Sequence, residues 1–180
     1  MRLSNPFARA LQVPAGVVAA ATLDRGDKVL AGAPTRSGSW LLGTRLALVV
    51  VPAGGAGAAD VLRLPWESVE RADWDRERER LVVSEVGEFG RVRPQHAFEI
   101  EDPGVLVELV RERVTASVLL QRRVSVGGGR GLVVVARRSP QGDSDIIWAY
   151  QLDPGVSPDD PHVREAADAA LVAAADELGL

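Results

Sequence analysis

Residues 61–86, VLRLPWESVERADWDRERERLVVSEV, constrain the fold more than any other stretch of the chain. Leu62, Leu64 and Trp66, then Ala72 and Trp74, then Leu81 and Val83 recur at every second residue, the spacing of half-buried strands. Between the last two runs, Asp75-Arg76-Glu77-Arg78-Glu79-Arg80 suits neither a core nor a sheet face and predicts a solvated hairpin tip. A single amphipathic helix from about Trp66 to Arg80 is the competing reading, because Ser68, Glu70 and the Arg/Glu run all tolerate helix. Flanking β-branched and aromatic residues favour strand, kink, strand, tip, strand.

Shorter strand patterns surround this stretch. Residues 28–33, 40–43 and 46–51 predict three strands, with a turn at 34–38 and a glycine-rich loop at 52–57. Residues 95–100 predict a seventh strand. The period then changes. Asp102-Pro103 reads as an N-cap with proline at the first helical position, and Leu106, Leu109, Val110 and Val114 form one apolar stripe of a helix over 103–115. Seven strands closed by one helix is the order of the pleckstrin-homology superfold. Leu42-Gly43-Thr44-Arg45-Leu46-Ala47-Leu48-Val49, followed by Leu64-Pro65-Trp66-Glu67-Ser68-Val69, resembles the third and fourth strands of bacterial PH-like and GRAM-type domains. Those often read T-x-x-x-L, a loop, then I-P-W-x-x-V. The resemblance spans about residues 26–116 and implies an antiparallel barrel used for binding or scaffolding.

The remaining third has its own pattern. Residues 118–126, 132–139 and 145–152 predict three strands joined at 127–131 and 140–144. A turn centred on Gly129 would put Val118, Leu120, Val124, Val126, Leu132, Val134 and Ala136 on one face and Gln121, Arg123, Ser125 and Arg137 on the other. Asp160-Pro161 opens a last helix whose Val163, Ala167, Ala170, Leu171, Ala174 and Leu178 would cover the apolar face. The expected organisation is α+β: an arm over 1–22, a seven-stranded PH-like antiparallel barrel closed by a helix over 23–117, and a βββα unit over 118–180.

Composition narrows the function classes. No apolar run approaches the ~20 residues of a membrane span, and residues 13–23, the best approximation to a signal-peptide core, are interrupted by Pro14 and Gly16. The chain has no cysteine, which suits a reducing cytoplasm and excludes disulfides and thiolate metal sites. Lys28 is the only lysine among 21 basic side chains, a bias of GC-rich bacterial genomes. A net charge of −4 with interspersed signs argues against a nucleic-acid-coating role. Phosphoinositide binding by PH domains uses a K-x(n)-[KR]-x-R pattern at the first strand turn. Here Lys28 is followed by a solitary Arg36, with Gly38 where the final arginine belongs.

The chemistry-bearing residues do not assemble a catalytic set. His96 and His162 are distant in sequence, and His162 with Glu165 lacks the second histidine a zinc-hydrolase helix needs. Gly127–Gly131 has strands on both sides, so it predicts a hairpin turn and not a phosphate loop. Trp40, Trp66, Trp74 and Trp148 all fall in strands and are expected in cores. Arg122, Arg123, Arg137 and Arg138 lie on adjacent strands and make the candidate anion or partner site, Arg123 and Arg137 sharing the open face. These residues predict a non-catalytic cytoplasmic protein, without cofactor or metal, that binds another protein. The alternative is an anion or nucleic-acid binder using the arginine-bearing sheet face.

Overall fold

A computed structural model describes residues 13–54, 60–142 and 144–180. The first twelve residues of the expected arm, part of the glycine-rich loop and Asp143 of the 140–144 turn lie outside them. The fold is α+β, with three antiparallel sheets of four, three and three strands. The first sheet holds β1 (Val29–Pro34), β2 (Trp40–Thr44), β3 (Ala47–Val51) and β4 (Leu62–Pro65) in chain order. The second holds β5 (Val69–Asp75), β6 (Arg80–Glu85) and β7 (Gln95–Glu99), also in order. These seven strands form two separate ladders and no closed barrel, so the barrel expected from the sequence is not what this backbone shows.

The strand–kink–strand reading of residues 61–86 describes the chain well. The kink is one 3₁₀ turn, Trp66–Ser68, and no long helix forms. Trp66 is fully buried, and its Nε1 donates to the Thr44 carbonyl at 3.1 Å. That bond satisfies the indole where the chain leaves one sheet for the other. At the charged tip, the Asp75 carboxylate accepts from the amides of Glu77 and Arg78.

Helix α2 (Leu106–Ala116) closes the shared core with Leu106, Val110 and Val114 against Leu41, Leu48, Leu64, Trp66 and Val69. It begins later than Asp102-Pro103 predicts. Gly104 takes a left-handed φ of 50°, so no helix runs through it, and the Asp102 carboxylate is used on the Gly104 amide. A second cluster forms on the other side of the first sheet, where α1 (Ala15–Ala20) brings Val17 and Ala20 to Leu42 and Val49.

The third sheet has the order β10-β9-β8, with β8 Val118–Gly127, β9 Arg130–Arg137 and β10 Ile147–Leu152. Gly127 faces Arg130 across a two-residue turn in which Gly128 (φ 60°) and Gly129 (φ 74°) are both left-handed, as a type I′ hairpin requires. The pairing of Val124 with Leu132 and Leu120 with Ala136 gives the expected division of faces except at Val118, which a register shift before Leu120 pairs with Arg137 on the face expected to be polar. Helix α3 (Pro161–Glu177) opens as expected, with the Asp160 side chain accepting from the His162 amide and Pro161 in the first turn. Val163, Ala167 and Ala170 cover Leu132 and Val134.

Candidate binding surfaces

The most elaborate site lies where the second and third sheets meet, and a backbone irregularity builds it. Val69 pairs with Glu85 and Arg71 with Ser84, so Glu70 is the extra residue of a β-bulge. Bulges re-aim side chains. The Glu70 carboxylate, only 8 % exposed, pairs with the Arg93 guanidinium, which also donates to the Tyr150 carbonyl of β10. A second bulge, at Leu119 of β8, lies beside Arg137. Arg137 is almost wholly buried: Nη1 donates to the Val114 carbonyl and the Ser117 hydroxyl, and Nη2 to the Glu70 carbonyl at 2.8 Å. Burial lowers its pKa, with Glu70 pulling the other way. An arginine remains charged under either influence.

Between these groups runs a cleft in two adjoining lobes, of about 320 and 510 Å³, that share Glu70, Arg71 and Gln151. The first lobe adds Ser84, Arg93 and Gln95, and the second adds Thr115, Gln121 and Arg137. The cleft wall is the outer face of the second sheet and the open face of the third. Residues 86–94 cross beside it. Phe89 meets Tyr150 edge-to-face at 5.2 Å and joins the core under α3.

The four arginines singled out from the sequence do not gather into one patch. Arg122 points to α3 and pairs with Glu177 at 3.2 Å. Arg123 lies on the opposite face and pairs with Asp153, which also accepts from the Gly131 amide at 2.7 Å. Arg123 and Arg137 do share a face, since Arg123 pairs with Val133 and Arg137 lies four residues further along β9. That places them about 13 Å apart. Arg137 is committed inward, and Arg138 is half-buried with its backbone amide on the Ser117 carbonyl.

His96 pairs with Glu85 at 2.6 Å on the rim of the main core, stacked over Phe98. His162 is exposed at the start of α3. None of the four tryptophans is exposed. Among the described residues no group of three or more His, Cys, Asp or Glu is placed to hold a metal ion, and no helix is long and apolar enough to cross a membrane.

The sequence reading missed Glu70, Arg71 and Arg93. A bulge leaves no mark in a periodicity count, and Arg93 lies in a segment with no strand or helix pattern. A smaller surface is apolar: a groove of about 240 Å³ runs beside β1, lined by Val18, Val29, Leu30 and Val105 among others. Leu30 and Val105 are 42 % and 39 % exposed there. Among the described residues β1 pairs with β2 alone and is an edge of its sheet. No protein-family model and no curated protein sequence matches the chain.

Proposed function

We propose that the chain is a non-catalytic binding or scaffold protein that acts through contacts with another protein, on a PH-like first unit. The order of a four-stranded sheet, a three-stranded sheet and a closing helix supports the PH-like part of this reading. The observation that carries the binding role is the groove beside β1. An edge strand next to exposed Leu30 and Val105 offers backbone pairing to an extended segment and apolar contact to its side chains.

The test is affinity capture from an extract of the source organism, comparing the native chain with the double variant Leu30→Glu, Val105→Glu. Both side chains are surface-exposed, so the melting temperature should hold while a specific partner is lost. Equal recovery of the same proteins by both chains defeats the reading.

A further inference from the structure

The cleft between the second and third sheets carries a separate inference. Its two lobes are lined by three cations, Arg71, Arg93 and Arg137, and one anion, Glu70. In a chain of net charge −4 this is a local reversal of sign. Several donors there are uncommitted. Arg71 uses Nε on Asp73 at 2.7 Å, and neither of its Nη atoms has a hydrogen-bond partner among the described residues. Arg93 uses Nε on Glu70 and Nη2 on Tyr150, which leaves Nη1. Ser84 accepts from Gln95 Nε2 at 3.1 Å and retains its own proton to donate. Behind them Arg137 is 3 % exposed, and its buried Nε has no acceptor among the described residues. Its charge therefore adds to the field of the cleft in a low-dielectric setting.

We propose that this cleft binds a small molecule bearing a carboxylate or phosphate group. Arg71 and Arg93 grip the oxyanion, while Ser84, Gln95 and Gln151 hydrogen-bond its neutral polar atoms. The planar fork of a guanidinium matches two oxygens of either group. A lobe of about 320 Å³ is at the small end of ligand pockets, which suits a metabolite and not a polymer. The polar lining selects for a hydrophilic molecule. Arg93, held by Glu70 and the Tyr150 carbonyl, and the buried Arg137 on the third sheet flank the junction from its two sides.

The experiment is calorimetric titration of the full chain with inorganic phosphate and with citrate, at matched ionic strength. Saturable binding of phosphate alone assigns a phosphate ligand, of citrate alone a carboxylate ligand, and of both a general oxyanion site. Arg71→Gln removes an exposed side chain, so it should weaken binding by about tenfold or more at an unchanged melting temperature. Arg71→Lys, which keeps the charge without the fork, should fall between. Arg122→Gln, on the far side of the sheet, should bind as the native chain does. No saturation by either anion up to about 10 mM, or an Arg71→Gln variant that binds undiminished, overturns the proposal.

Discussion

The Arg137 guanidinium donates through Nη2 to the backbone carbonyl of Glu70 at 2.8 Å, joining the third sheet to the bulge of β5. The same side chain donates to the Val114 carbonyl in the last turn of α2, which also accepts from the Ser117 hydroxyl. One buried cation thus ties a helix end, a connecting residue and a bulge into a single junction.

Removing it should be costly. Arg137→Met keeps much of the volume but strands the Glu70 carbonyl, while the Val114 carbonyl keeps the Ser117 hydroxyl as a donor, and a loss of about 1–3 kcal/mol is expected. Arg137→Lys should recover only part of this, because an ammonium cannot reach in two directions from one plane. Urea denaturation measures both. A native midpoint for Arg137→Met would mean that water replaces the side chain freely.

Trp66 and Trp74 should differ in cost. Trp66 is fully buried and hydrogen-bonded, so Trp66→Ala should lose about 3–5 kcal/mol. Trp66→Phe should lose less, about 1–3 kcal/mol, chiefly by leaving the Thr44 carbonyl unpaired. Trp74 packs on the same core from a partly exposed position, and its truncation should be milder. Thermal melts of the three variants give the order directly.

The Arg-rich tip should be indifferent to stability. Arg78 pairs with Asp75 at 2.9 Å, but its side chain is 78 % exposed, and exposed pairs contribute about 0–1 kcal/mol. Replacing Arg76, Arg78 and Arg80 with serine should leave the melting temperature nearly unchanged. A loss above about 2 kcal/mol would require buried pairing. Glu79 should be kept in that experiment, because it has a left-handed φ of 50° and pairs with Arg36.

Acid should loosen the third sheet through Asp153. The hydrogen bond from Arg123, followed by that from the Gly131 amide, holds its carboxyl below the usual aspartate range. A depressed folded-state value means stabilisation that is present above the unfolded value and lost as pH falls through the folded one. Asp153→Asn should therefore be less stable than the native chain at neutral pH and equal to it in strong acid. Parallel pH profiles for the two chains would show that Asp153 makes no such contribution.

What the sequence displayed and what it concealed divide on physical lines. Strands with one buried face announce themselves through Leu81/Val83 or Leu132/Val134, and local chemistry places the Gly128-Gly129 turn and the Asp160 cap. The start of α2 was harder, because Asp102-Pro103 satisfies every capping rule while the left-handed Gly104 two residues on annuls it. The division of seven strands into two ladders depends on how sheets meet, which no periodicity records. The cleft was concealed for the same reason. Glu70 reaches it through a bulge, Arg93 through an unpatterned loop, and Arg137 reads as a surface residue on a polar face until α2 covers it. Partners supplied from far along the chain decide whether an arginine is solvated or internal.

The seat of Phe89 has a consequence for how the polypeptide is made. Its loop joins β6 to β7, yet it meets Tyr150 of β10 and packs on the cluster that Val163, Ala167 and Ala170 of α3 help to form. Chains fold from the N-terminus as they leave the ribosome, so the first two sheets emerge with this aromatic ring unhoused. It stays so until β10 and α3 have been translated. Arrival of α3 closes the cluster that Phe89 joins, so the seating of a loop translated early waits on a helix translated late.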